Sequence, residues 1–189
     1  APFIAVFLLL SFWKNSTENY YSEIMKNDLT EGRMAFEKQL DIMCAGAFSV
    51  SNDSDLKWVY FLDGLKDGDN NIAALIRCND MLRQTFADSE HYQNYSVIMK
   101  NELIFRKSGM VVGDKFFYDN YCTYQNTDFE TWRKQSFESN TWQLFPLEEI
   151  DTGERTFQAM TFSYPVRNYI QQEPEANAVV QFLLSKENL

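Results

Sequence analysis

Few side chains in this sequence have the types and spacing that catalysis requires. His91 is the single histidine among 189 residues, and it lies in the polar run Ser-Glu-His-Tyr-Gln at a predicted helix end. A catalytic serine or cysteine would have to use this one imidazole as its base. The sequence also has no nucleophile elbow, no glycine-rich phosphate loop and no metal-ligand spacing. We therefore predict that the chain is not an enzyme and has no catalytic residue, metal or cofactor.

Carboxylates and thiols are present, but they form no recognisable pattern. Acidic pairs such as Glu148-Glu149 are expected on the surface of a chain with 27 acidic residues, and a glycosidase-type carboxylate pair is an alternative that the sequence leaves open. Cys44, Cys78 and Cys122 lie far apart and show no Cys-x-x-Cys spacing. We interpret them as small buried hydrophobic residues. The alternative is one disulfide plus one remaining thiol.

Aromatic side chains are the remaining candidates for a binding site, since they make up 16% of the chain. Most of them are expected in the core, but tyrosine and tryptophan also give a pocket apolar walls with one polar tip. We predict a small-molecule cavity between a sheet and a short helical insertion, lined by some of Tyr118, Tyr121, Trp132, Trp142, Phe162 and Tyr164. The competing interpretation is that Trp132 only fills the core. Arg133 or Arg167, if turned inward, would hold a carboxylate.

The charge of the chain restricts its partners. It carries 27 acidic and 17 basic residues, for a formal net charge of -10. A surface this negative repels phosphate backbones, so we predict no binding of nucleic acid by this chain. The hydrophobic content of 45% is too high for a disordered segment.

Residues 1–13 (APFIAVFLLLSFW) are uncharged and almost wholly apolar. A spanning helix needs about 20 such residues, so these thirteen do not cross a bilayer by themselves. We interpret them as the last part of a truncated transmembrane helix, with Trp13 and Lys14 at the headgroup region. A signal-peptide core and a buried N-terminal helix are the alternatives.

Residues 14–51 are predicted to form a long stalk helix, because no proline interrupts them. Steps of four and three residues place one set of side chains on a single helical stripe: Leu29, Arg33, Phe36, Leu40, Met43, Ala47 and Val50. Such a helix either docks along other elements or self-associates. Arg33 on the stripe favours docking, and a homodimer through this helix is the alternative.

Residues 52–189 are predicted to fold as an α+β domain with a five-stranded antiparallel sheet and flanking helices. Helices are predicted at Leu56–Leu62 and Ile72–Phe86. The predicted strands are Tyr95–Met99, Leu103–Arg106, Trp142–Leu147, Thr156–Tyr164 and Ala178–Leu184. Asp128 is predicted to cap a helical insertion at Phe129–Phe137. Gly109 and Gly113 are predicted to bracket a bend.

Several segments, taken in order, resemble one family. They are the long helix with Glu31-Gly-Arg-Met-Ala-Phe-Glu-Lys-Gln-Leu-Asp-Ile-Met, the helix ending in Met81-Leu-Arg, and Tyr95-Ser-Val-Ile-Met-Lys-Asn-Glu-Leu-Ile-Phe-Arg, followed by Phe129-Glu-Thr-Trp-Arg-Lys, Thr161-Phe-Ser-Tyr-Pro-Val and Asn177-Ala-Val-Val-Gln-Phe-Leu-Leu. Together they resemble the extracytoplasmic double-Cache sensor region of membrane-anchored AraC-type transcriptional regulators.

The resemblance implies a long helix joined to PAS-like subdomains, of which the membrane-distal one, here residues 52–189, binds a small-molecule ligand. It implies a location at the cell membrane with the folded domain on the extracytoplasmic side. A cytoplasmic DNA-binding domain, absent from this chain, would receive the signal. Sensor histidine kinases and chemoreceptors share such ectodomains, and a purely structural interaction ectodomain is a further alternative. The family's amino-acid-binding motif is not found here, so the identity of the ligand stays open.

Overall fold

The computed structural model describes residues 2–59, 68–87, 92, 94–167 and 176–188. These residues belong to two compact units, Ala1–Asp41 and Ile42–Leu189. His91 and residues 60–62, the end of the first predicted short helix, lie outside the described residues.

Helices occupy the first half of the chain and the middle of the second half. Their bounds are α1 Pro2–Ser51, α2 Ser54–Val59, α3 Gly68–Thr85, α4 Asp114–Tyr121 and α5 Phe129–Glu138. Residues 2–13 of the apolar segment and the predicted stalk therefore belong to one helix. Within the described ranges, no helix is long and apolar enough to cross a bilayer.

The predicted stripe of α1 becomes buried along its length. Leu29 is exposed and Arg33 pairs with Glu37 at the surface. Met43, Ala47 and Val50, at the C-terminal end of the stripe, are fully buried. The spacing of four and three residues thus identifies the face of the helix that packs in the second unit.

In the part of the chain that the structure describes, the sheet is antiparallel and has seven strands, not the five that the sequence predicted. They are β1 Asn94–Met99, β2 Leu103–Arg106, β3 Gly109–Val112, β4 Thr123–Tyr124, β5 Gln143–Asp151, β6 Thr156–Val166 and β7 Ala178–Ser185. Their order across the sheet is β3-β2-β1-β7-β6-β5-β4. The α+β class and the long N-terminal helix are confirmed.

The two strands missed by the sequence analysis are the two edge strands. The predicted bend between Gly109 and Gly113 is wrong, because Gly109, at φ +133°, makes the tight turn that lets β3 pair with β2. Half-buried and exposed residues alternate along β3 and none is fully buried, as expected at an edge. Strand β4 has only two residues, which pair with Ile150 and Asp151 of β5. Such a short segment leaves no periodic pattern in the sequence.

The register of the strands assigns every residue to one of two faces. Val97 lies opposite Val180, and Ile98 lies opposite Val179. Because side chains alternate along a strand, Val97 and Ile98 point to opposite sides. We call the side of Val97 the α3 face and the side of Ile98 the α5 face.

The α3 face is closed by aromatic packing. The ring of Phe86, just after α3, lies 4.7 Å from that of Tyr95 and 5.2 Å from that of Phe182. A Cβ atom at Gly46 of α1 would lie only 2.9 Å from the Phe86 ring. The glycine therefore allows the C-terminal part of α1 to pack closely against this ring.

Candidate ligand-binding site

Helices α4 and α5 cover the α5 face, and local interactions fix both. Asp128 caps α5 as predicted, since its carboxylate accepts the backbone N–H of Thr131 at 2.8 Å. Asp114 of α4 forms an ion pair with Arg133 of α5. Arg133 therefore does not present an unpaired guanidinium to a carboxylate ligand, as the sequence had suggested it could. Arg167 donates a hydrogen bond to the carbonyl of Ser139 at 3.0 Å.

Three of the six predicted site residues lie on these covering helices. Trp132 is only 3% exposed, and its ring lies 5.4 Å from that of Tyr118. Phe117 lies between Trp132 and Tyr121, with centroid distances of 6.1 and 6.3 Å. The structure therefore brings Tyr118, Tyr121 and Trp132 into one aromatic cluster.

The other three predicted residues lie on the opposite face of the sheet. Phe162 is fully buried, and Trp142 stacks on it with a centroid distance of 5.6 Å. Tyr164 follows Phe162 by two residues in β6, so it points to the same α3 face. The six residues cannot line one cavity, because the sheet separates them into two groups of three. Proximity in the sequence could not reveal this division without the register.

A cavity of about 120 Å³ lies between α5 and strand β5. Its lining comprises Tyr124, Thr127, Trp132, Gln135, Phe145, Pro146 and Glu148. Trp132 is the one predicted residue in this lining. At about 30 Å³ per water molecule, the space suits about four waters or a ligand of a few heavy atoms.

A β-bulge in β5 shapes one wall of this cavity. The pairing with β6 shifts between Phe145 and Glu148, and Pro146 lies in the shifted segment. Proline lacks the N–H that a regular ladder needs, so strands accommodate it at such bulges. The carboxylate of Glu148 accepts from Asn126 and Thr127, each at 3.1 Å, which fixes it at the cavity.

The polar groups at this cavity are mostly neutral. The hydroxyl of Tyr124 shares a hydrogen bond with Thr161 at 2.9 Å, and burial raises the pKa of Tyr124 well above 10. Tyr124 is therefore a protonated phenol at all physiological pH values. The indole N–H of Trp132 is buried and has no hydrogen-bond partner among the described residues.

A row of polar residues, one on each of five neighbouring strands, crosses the α5 face of the sheet. The paired positions are Arg106, Ser96, Gln181, Ser163 and Gln143. Gln181 donates to Ser136 of α5 at 2.8 Å, while its side-chain carbonyl is buried without a partner in the described part of the chain. No residue of this row was predicted from the sequence to have a function. The feature of the sequence that indicates this row is Gln181, the single glutamine within the apolar run of β7.

The cysteines and the acidic residues do not form a metal centre in the parts of the chain that the structure describes. Cys44, Cys78 and Cys122 all lie within those parts and form no disulfide. Comparison with protein-family models and with curated proteins finds no match to this chain.

Proposed function

We propose that this chain is the extracytoplasmic ligand-sensing module of a membrane-bound transcriptional regulator of AraC type, which signals to a cytoplasmic DNA-binding domain. Two things support the proposal: the ordered resemblance of its segments to that family, and an α+β architecture that begins with a long helix. The ectodomain of a sensor histidine kinase or chemoreceptor is the alternative with the same sensing role. A purely structural interaction ectodomain is the other.

The observation that carries the sensing role is the cavity beneath α5, which is lined by Trp132 with its unpartnered N–H. A buried polar group without a partner costs about 1–3 kcal/mol, so native proteins retain few of them. The Trp132 N–H is of this kind among the described residues, and Trp132 lines the cavity; the Gln181 carbonyl is also of this kind but lies outside the cavity lining, next to Ser136 of α5. A bound small molecule or ordered water would supply the missing partners. A small molecule that hydrogen-bonds the Trp132 N–H would make the cavity a binding site, whereas a purely structural domain would fill it with water.

Signalling would require the ligand to favour one position of α5 over another. A ligand shifts a conformational equilibrium only by its difference in affinity for the two states. Helix α5 touches the cavity through Trp132 and is tied to α4 by the Asp114–Arg133 pair. A ligand that contacts Trp132 would therefore act on both covering helices.

The membrane location is part of the same proposal. It is supported by the apolar start of α1 and by the family resemblance, with the folded domain outside the cytoplasm. Tyr21, Met25 and Leu29 are exposed at intervals of four on α1, and a second copy of the helix would cover them in a homodimer. Protease treatment of intact cells tests the orientation. Protection of an epitope in the sheet region until the cells are lysed would refute it.

A thermal-shift screen with sugars, peptides and organic acids tests ligand sensing. A ligand at 100 times its Kd should stabilise the folded state by about 2.7 kcal/mol. The response should be lost in Trp132→Phe, which removes the unpartnered N–H. The matched control is Trp142→Phe on the other face, which should keep the response. No response across a broad library would favour the structural ectodomain. Whether the same reading frame also encodes a DNA-binding domain or a kinase distinguishes a regulator from a sensor kinase.

A further inference from the structure

Arg106, the last residue of β2, is a buried cation with little to neutralise it. Its side chain is only 9% exposed. Among the described residues, its one ion pair is with Glu154, at 3.7 Å between nitrogen and oxygen, and the Glu154 side chain is 78% exposed. That distance is too long for a hydrogen bond. A buried charge is costly unless it is both paired and hydrogen-bonded.

The surroundings of Arg106 orient the guanidinium without satisfying it. The group lies over the ring of Tyr121, 3.9 Å from the centroid, in a cation–π contact. Within the described part of the chain, it donates no hydrogen bond, although a guanidinium has five N–H donors. The donors are thus held in place and remain available.

A cavity of about 370 Å³ adjoins this residue. It is lined by Asn94, Arg106, Lys107, Ser108, Thr152, Glu154, Arg155 and Phe157. Three of these side chains are cationic and one is anionic, although the whole chain has a net charge of -10. The side-chain oxygen of Asn94 is also buried without a partner in the described residues. This cavity is separate from the one lined by Trp132.

The walls of this cavity are set by two tight turns. Gly109 at φ +133° ends the turn after β2, and Gly153 at φ +75° lies in the turn after β5. Thr152 donates both its backbone N–H and its hydroxyl to the carbonyl of Arg155, each at 3.0 Å. The cavity is therefore preorganised, which lowers the entropic cost of binding.

We infer that this cavity binds a small organic carboxylate, whose two oxygens accept hydrogen bonds from the guanidinium of Arg106. The planar fork of arginine matches the two oxygens of a carboxylate. Phe157 provides an apolar wall for the organic part of the ligand, which inorganic phosphate lacks. The inference rests on these contacts and not on the sensing role or the cytoplasmic output.

The test compares benzoate with benzamide, its neutral analogue of nearly the same shape, by thermal shift and calorimetry. Benzoate, propionate and succinate should each raise the Tm of the wild-type protein and bind with measurable heat, whereas benzamide should not. Inorganic phosphate is included as the competing oxyanion. Equal responses to benzoate and benzamide, or tighter binding of phosphate than of every carboxylate, would overturn the assignment.

Two substitutions at Arg106 locate the site. Arg106→Gln should weaken benzoate binding at least about tenfold, because the charge and the fork are both removed. Arg106→Lys keeps the charge but loses the fork, so it should bind benzoate with intermediate affinity, and it serves if the glutamine variant does not fold. The control is Arg77→Gln, at an exposed arginine that pairs with Asp55. Unchanged benzoate affinity in a folded Arg106 variant would refute the inference.

Discussion

Trp132 offers the sharpest test of how the α5 face is built. The side chain is 3% exposed and touches the rings of Phe117, Tyr118 and Phe129, with centroid distances of 5.4 to 6.1 Å. Its N–H is buried without a partner among the described residues. Two substitutions separate these contributions. Trp132→Ala removes the ring and the N–H, whereas Trp132→Phe removes the N–H but keeps a ring.

The expected magnitudes follow from burial. Burying about 200 Å² of tryptophan at about 25 cal/mol per Å² is worth about 5 kcal/mol. Alanine retains a small part of this, so Trp132→Ala should lower the free energy of unfolding by about 3–5 kcal/mol. Trp132→Phe loses a smaller area and removes a desolvated donor whose burial costs about 1–3 kcal/mol. These terms nearly cancel, so its cost should be under about 2 kcal/mol.

Urea unfolding followed by circular dichroism measures both values from the midpoint and the slope. The control is Trp142→Phe, at a residue that is 47% exposed on the other face, where we expect a change below about 1 kcal/mol. If Trp132→Phe proved as destabilising as Trp132→Ala, the N–H would have to make a favourable hydrogen bond. The idea of an unpartnered donor at the cavity would then fail.

Three further predictions concern other parts of the fold. Gly153→Ala should destabilise the protein by more than about 2 kcal/mol, because φ is +75° and the new Cβ would lie 2.2 Å from a backbone oxygen of α4. The control Gly32→Ala, with nothing within 4 Å of the new Cβ, should be neutral or stabilising by about 0.5–1 kcal/mol. Equal effects of the two substitutions in urea unfolding would contradict this reasoning. The backbone N–H of Thr131, which donates to Asp128, lowers the pKa of the Asp128 carboxyl below 3.8. The stability that the ionised carboxylate contributes is therefore present above pH 3.8 and is lost as the pH falls through the folded-state pKa. Unfolding of Asp128→Asn at several pH values should show a difference from wild type at pH 7 that shrinks below pH 3.8, and a constant difference would refute the linkage. Burial raises the pKa of Cys78 and of Cys122 to about 12, so iodoacetamide at pH 8 should modify both thiols only after unfolding. Mass spectrometry of the peptides measures this modification. Rapid labelling of the native protein would contradict the burial of the two thiols.

The elements with strong periodic patterns could be predicted from the sequence. Strand β2 begins and ends where predicted, and β1, β6 and β7 extend by at most two residues beyond their predicted bounds. Their alternation or continuous burial provides a signal that the chain itself carries. Asp128 also provided a local signal, because a cap depends on residues only three positions apart.

Helix α4 and the two edge strands could not be predicted in the same way. In Asp114–Tyr121, four of the eight residues are aromatic, and this composition favours no single period. The helix is defined by where Phe117 and Tyr118 are buried, which depends on α5 and the sheet. Local preference is weak in such a segment, and tertiary packing decides its structure.

The candidate site shows the same limit more clearly. The aromatic types were a correct guide to burial at Trp132 and Phe162, but only the register of β6 shows that these residues lie on different faces. Arg106 was missed because the sequence shows only two adjacent cations, Arg106 and Lys107, at the end of an apolar strand. Its burial depends on Tyr121 and on the turn that contains Glu154, both of which are distant in the sequence.

Strand β7 has a consequence for the order in which the protein forms. It lies between β1 and β6 in the sheet, so it joins the group β3-β2-β1 to the group β6-β5-β4. All eight of its residues are buried, yet it follows the other six strands along the chain. During synthesis, β1 and β6 therefore each keep one unpaired edge until β7 leaves the ribosome. Such edges are prone to aggregation. Pairings between such distant segments also slow folding, so the insertion of this one strand should set the rate at which the sheet closes.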